Sequence, residues 1–302
     1  AAVVGAVLAL HGPVPALAVP AHKLAVTINM RRDNRHDWPK QVRISPDGRM
    51  AVAPCMSSYT IAVYSTADYR HLASIKSPAK GPVECTFSAD SKKAYIQCLS
   101  PGIILELDLV NFKILRQSPV HGAWPKVIEF TPNGGELWVS DWTNNTVNVI
   151  SPLTLVRQRR IRVARTPRGI GFLGKTPRAY VANFGENNVN EGTITEIDTT
   201  TYRIIKTFGE LKGSPRHVSV SPDDRFVYVT NMDLNLVHVI ATKPDAIVAQ
   251  IPVGVNPKTS DLSPDGRYLY VANFNDIGKA GSISVCDTAA RKVVAELPAG
   301  KG

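Results

Sequence analysis

The 302-residue chain lacks most of what would place it among membrane, disordered or metal-built proteins. No apolar run approaches the roughly 20 residues that a bilayer-spanning helix requires. Only four cysteines occur, Cys55, Cys85, Cys98 and Cys286, and none keeps a CxxC or Cys/His metal spacing. Each falls in or at the end of a predicted strand, where a small buried thiol is the common outcome. They are read as free core residues, although three pairings stay open to an oxidised chain. No segment sustains a 3.6-residue apolar period, which excludes a helical solenoid. There is no GxSxG elbow, no recognisable Ser/His/Asp order, no phosphate loop, no dinucleotide fingerprint and no HExxH. These absences point to a non-catalytic protein, and they give no ground for a cofactor or a metal. Acidic residues are also short: 25 Asp and Glu face 35 Lys and Arg, for a net charge of +10. That bias favours anionic partners, although basic charge also serves solubility alone.

What is present is a repeat. The strings VRISPDGRMAVAPC (42–55), CTFSADSKKAYIQC (85–98), IEFTPNGGELWVSD (128–141), IGFLGKTPRAYVAN (170–183), VSVSPDDRFVYVTN (218–231) and SDLSPDGRYLYVAN (260–273) share one pattern. Each follows a proline, Pro39, Pro82, Pro125, Pro167, Pro215 or Pro257, and these stand 43, 43, 42, 48 and 42 residues apart. Such a period belongs to propeller blades. Each unit divides into four predicted strands. Strand a is a short alternating run such as Val218/Val220. A Ser-Pro-Asp-Gly hairpin follows, in which proline presets φ and glycine accepts a positive one. Strand b is rich in aromatic and β-branched residues. Strand c covers 146–150, 193–197, 236–240 and 282–286, and strand d covers 204–208 and 293–297. One four-stranded sheet cannot cover both its faces, so the copies are expected to stack radially around an axis.

The strings Tyr180-Val181-Ala182-Asn183, Tyr228-Val229-Thr230-Asn231 and Tyr270-Val271-Ala272-Asn273, each after a Ser-Pro-Asp-type turn or its variant, resemble the YVTN-type β-propeller repeat family. The resemblance covers about residues 39–300. It implies an all-β propeller, usually seven-bladed, in a protein that is secreted, periplasmic or at the cell surface. Binding modules and surface-layer proteins belong to that family. Lactonases, streptogramin lyases and the haem-binding propeller of some nitrite reductases are similar in architecture. The fold therefore leaves the chemistry open.

Six full repeats occupy residues 39–302. Residues 1–38 are assigned to an incomplete closing blade, with strands expected at Val3–Leu10, Ala16–Val19 and Leu24–Met30. Seven blades are thus favoured and six are the alternative. The same N-terminal stretch resembles a remnant of a secretory signal. A missing strand would also leave a sheet edge on which a partner could assemble.

Three candidate regions follow. The residue after each repeat proline is Lys40, Val83, Lys126, Arg168, Arg216 or Lys258, and repeat symmetry places these around the central channel. A basic ring there would attract an anionic ligand; solvated turn residues are the plainer reading. Near the same rim fall His36, Trp38, His121, Trp124 and His217, which could add stacking or ligation to the pocket. Arg157, Arg159, Arg160, Arg162 and Arg165 form a basic strip along strand d of the third repeat. Charges on an edge strand deter aggregation; the strip could alternatively track nucleic-acid phosphates. The expectation is a non-catalytic binding or assembly module that meets a protein or anionic ligand with its top face. A lactonase-like hydrolase or haem-binding oxidoreductase subunit, and a nucleic-acid binder, are the alternatives.

Overall fold

The computed structural model describes His22 and residues 38–120, 124–185, 191–209, 211–276 and 278–301. Six four-stranded antiparallel sheets account for them. The first blade is β1 (Arg43–Ile44), β2 (Met50–Cys55), β3 (Thr60–Ser65) and β4 (His71–Lys76). The second is β5 (Lys80–Phe87), β6 (Lys93–Ser100), β7 (Ile103–Asp108) and β8 (Lys113–Pro119). The third is β9 (Pro125–Phe130), β10 (Leu137–Asp141), β11 (Thr146–Ile150) and β12 (Arg157–Arg162). The fourth is β13 (Pro167–Phe172), β14 (Arg178–Asn183), β15 (Thr193–Asp198) and β16 (Ile204–Phe208). The fifth is β17 (Pro215–Val220), β18 (Phe226–Asn231), β19 (Leu236–Ala241) and β20 (Ala246–Pro252). The sixth is β21 (Pro257–Leu262), β22 (Tyr268–Asn273), β23 (Ala280–Asp287) and β24 (Lys292–Lys301). In every sheet the strands pair in sequence order, with the first and last at the edges.

In every blade but the fourth, the hairpin after the first strand is set by its own side chains. Ser45 Oγ donates to Asp47 Oδ1 (2.6 Å), and Asp47 in turn accepts the Arg49 N–H (3.1 Å). Gly48 takes φ +72°, a left-handed conformation that glycine adopts at little cost; Ser91 (φ +58°) and Asp224 (φ +63°) take it in the second and fifth blades. The same Ser-to-Asp bond recurs at Ser88/Asp90, Ser221/Asp223 and Ser263/Asp265. The fourth blade has Gly174 and Lys175 in this place, and their N–H groups donate instead to Asp224 of the next blade (2.8 and 2.6 Å).

The core lies between blades, as an array of sheets with two apolar faces requires. Val52 and Ile61 of the first blade pack with Phe87 and Leu105 of the second. Trp138 of the third blade is fully buried, edge-on to Phe172 of the fourth (5.1 Å) and stacked near Tyr202 (6.3 Å). Val218 and Val229 of the fifth blade close on Tyr180 and Ile194. The inner strands β5, β9, β13, β17 and β21 contact one another in turn. Arg43 of the first blade lies within electrostatic reach of Asp261 of the sixth, so the first and last blades approach each other. The blades therefore surround one channel, the propeller expected from the repeat.

All four cysteines are buried thiols and none is in a disulfide. Burial pushes the Cys98 thiol up to about 11 and Cys286 to about 12, so both stay protonated and unreactive at neutral pH. The strands expected within residues 1–38 lie outside the described residues, apart from His22. That ring rests edge-on against Tyr268 and Tyr270 of the sixth blade, at 4.9 and 5.7 Å. No helix among the described residues is long and apolar enough to cross a membrane.

Candidate anion site in the central funnel

The repeat prolines set the geometry of the funnel. Five of the six pair with the last residue of strand b in their own blade, as in Pro125↔Asp141, Pro167↔Asn183 and Pro215↔Asn231, while Pro82 pairs with Cys98, two residues before the end of β6. The register then slips just inside the proline, for example between Pro167 and Ile170. A slip of this kind bends the strand and re-aims the residues it contains. The residue after each proline is thereby released from the regular alternation.

Five of these residues are cationic, and the fold brings them together. Lys40, Lys126, Arg168, Arg216 and Lys258 lie close enough to depress one another's charge. Lys126 is pushed down to about 7, first by burial and then by Arg168, Arg216 and Lys40. Lys258 falls to about 8 for the same reasons, burial leading and Arg216 next. Lys40 and Arg216 are also lowered, chiefly by burial. Arg168 is drawn down to about 9 by burial and then by Arg216; a guanidinium still keeps its proton at neutral pH. Lys40 is exposed and the other four are half-buried. The walls are nevertheless protein on most sides, and that enclosure makes the like charges costly.

An aromatic collar flanks the cations. The Lys40 ammonium lies 4.3 Å from the centre of the Trp38 ring, and Lys126 lies between Trp124 (4.7 Å) and Trp142 (4.2 Å). Arg168 is flanked by Trp142 (4.4 Å) and Phe184 (4.1 Å), and Lys258 by Phe274 (4.6 Å). Each such contact contributes about 0.5–2 kcal/mol, less than a full counter-charge would. The buried Nε of Arg168 has no hydrogen-bond partner among the described residues.

Carboxylates appear one step further along the inner strands. Arg43 Nη1 pairs with Glu129 at 2.5 Å and donates to the Cys85 carbonyl at 3.3 Å. This pair keeps Arg43 above the usual guanidinium range even though burial opposes its charge. Glu84 accepts a 3.4 Å bond from Gln41 Nε2, while Gln41 Oε1 accepts the Cys85 N–H at 2.7 Å. Burial, reinforced by Glu129, raises Glu84 to about 8 against the pull of Arg216, Arg43 and Arg168. His217 is pushed down to about 4 by burial and by Arg43 and Arg216, so it is neutral; its Nδ1 accepts the Ser260 N–H at 3.4 Å.

The residues expected at the rim are placed as follows. The five cations, Trp38 and Trp124 share the funnel, and His217 lies just inside it. His36 and His121 fall outside the described residues. Among the described residues no group of three His, Cys, Asp or Glu side chains is arranged to hold a metal. The basic strip is separate: Arg157, Arg159, Arg160 and Arg162 lie on the edge strand β12, with Arg159 over the Tyr202 ring at 4.6 Å. Arg165 lies beyond the strand and pairs with Glu191 at 3.5 Å. An open groove of about 800 Å³, lined by Asn133, Lys175 and Tyr202 among others, lies between the third and fourth blades at the opposite end of strand a.

Reading the residue after each proline did not find Glu84, Gln41 or the Arg43–Glu129 pair. The collar had a legible signal. The residue after strand b is Trp142 after Asp141, Phe184 after Asn183, Met232 after Asn231 and Phe274 after Asn273. This position is apolar in all four repeats.

Residues 187–301 match the Cytochrome D1 heme domain family, which is less than half of the chain. The chain is 25% identical to Antigen Lp49 of Leptospira interrogans over 186 residues, 60% of this chain and 40% of that protein. It therefore spans about two fifths of that relative's length. In three dimensions it is similar to Kuenenia stuttgartiensis Hydrazine Synthase, with TM-score 0.61 and 15% sequence identity, covering 87% of this chain and 99% of that one. At such identity the likeness carries the fold alone.

Proposed function

We propose that this protein is a β-propeller binding module that takes an anionic ligand in the mouth of its central funnel. One observation carries the reading: five cations converge there, and the neighbouring carboxylates are too few to neutralise them. Charges of one sign held together in a low-dielectric cleft cost several kcal/mol unless a counter-charge joins them. A bound anion supplies it. The funnel shape would also raise the rate at which anions arrive. The YVTN-type resemblance and the similarity to a protein named as an antigen support an extracytoplasmic setting.

The test uses the collar as its reporter. Trp38, Trp124 and Trp142 lie within 4.7 Å of ring cations, so a ligand that recruits those cations should alter tryptophan emission. Titration with benzene-1,3,5-tricarboxylate is expected to give a saturable change that weakens as salt is added. An emission spectrum unaffected at every concentration contradicts the proposal.

The match of residues 187–301 to a haem-domain family favours a second reading, a cofactor-carrying propeller. The cations suit the carboxylates of a haem, but the described residues do not complete a haem site. His217 is the histidine beside the ring, and its Nδ1 is already engaged by the Ser260 N–H. A shifted haem absorption band on mixing with the protein would support this reading, and an unshifted band would count against it.

A further inference from the structure

We infer that Glu84 is the specificity-determining residue of the funnel: as a neutral carboxyl it donates a hydrogen bond to an oxyanion held by the ring, so ligand binding takes up protons. The inference rests on the reading of the funnel as an anion site.

The ring is broken at one place. The second blade offers Val83 where the other five offer a cation, and Glu84 is the next residue. Glu84 is thus a carboxyl group in the one sector without a positive charge. Its surroundings come from four other blades. Gln41 and Arg43 belong to the first, Lys126 and Glu129 to the third, Arg168 to the fourth and Arg216 to the fifth. On its own strand it adjoins Cys85, whose thiol stays protonated.

An ionised Glu84 and a bound anion would compete for the same guanidinium groups. A protonated Glu84 removes that competition and adds a donor, which an oxyanion accepts and a spherical halide uses less well. Burial already holds this carboxyl near about 8, so the neutral form costs little at neutral pH. Lys126 and Lys258, near about 7 and 8, shift the same way, since an approaching anion favours their charged forms. The ligand class is therefore an oxyanion, carboxylate or phosphate, bound with proton uptake and with preference over halide.

Calorimetry with benzene-1,3,5-tricarboxylate, in two buffers of different ionisation enthalpy, tests this at about pH 6 and about pH 9. The tricarboxylate is fully ionised throughout, so any protons taken up enter the protein. Wild-type protein is expected to bind at least about tenfold more weakly at the higher pH, and to show proton uptake in a third calorimetric run at about pH 8. Glu84→Gln, which stays neutral, should recover part of that loss and reduce the uptake, the remainder belonging to Lys126 and Lys258. Chloride should compete poorly in the wild type. If the tricarboxylate fails to bind at either pH, the funnel reading falls and the inference with it. Binding with no proton uptake by the wild type overturns the inference alone, and it needs no variant. An E84Q profile that follows the wild type overturns it as well.

Discussion

At the scale of single residues, the funnel is organised by charges that can or cannot find a partner. Arg43 and Glu129 are partners at 2.5 Å, and both are half-buried. Removing one member of such a pair leaves the other short of a partner, which costs about 1–3 kcal/mol. Arg43→Met should therefore lower the urea midpoint sharply, and Arg43→Met/Glu129→Met should recover part of the loss. Two histidines make the fold acid-sensitive. His217 and His238 are both pushed down to about 4, by burial in the first place, from an ordinary 6.5. His238 is completely buried, and its Nε2 lies 3.1 Å from Asn231 Nδ2. The unfolded chain binds these protons at higher pH than the folded one. Stability is therefore full above about pH 6.5 and declines as pH falls towards 4. Denaturation of His238→Gln across that interval should show a shallower decline than the wild type. Neither pairing was legible in the sequence. Arg43 and Glu129 stand 86 residues apart and meet only because the blades surround one axis.

Within the elements, the inner strands position the site, and glycine decides how closely two of them approach. Gly169 follows Arg168 on β13. A Cβ there would lie 2.8 Å from the Arg216 carbonyl oxygen, the His217 Cα and the Val218 nitrogen of β17. Those are backbone atoms, so the strands would have to separate. Gly169→Ala is expected to destabilise the protein by about 1–3 kcal/mol. It should also weaken anion binding, because the strands it separates carry Arg168 and Arg216. A stable variant with unaltered binding would show that the spacing of β13 and β17 is not critical. The strands themselves were largely legible: 146–150 and 204–208 in the sequence became β11 and β16 with the same limits. Alternation and hairpin chemistry are local, and local rules suffice for them. The slip after each proline is not local. It follows from pairing with strand b, and so the carboxylates behind the basic residues were not legible in the sequence.

For the molecule as a whole, repetition makes the fold and departures from repetition make the site. Six blades share one plan, and their prolines, turns and strand order could be read in advance. Val83 in the second blade is where the otherwise basic position departs, and the position after it differs in every copy: Gln41, Glu84, Val127, Gly169, His217 and Thr259. A net charge of +10 spread over the surface would serve solubility; here five of the positive charges are concentrated at one opening. Diffraction from crystals grown with selenate tests this account most directly, since selenium reveals an oxyanion by its anomalous signal. The account expects an anomalous peak on the channel axis within hydrogen-bond distance of Arg168 and Arg216, lost in crystals of Arg168→Met/Arg216→Met. Five ordered basic side chains turned away from the axis, with no peak between them, would contradict it.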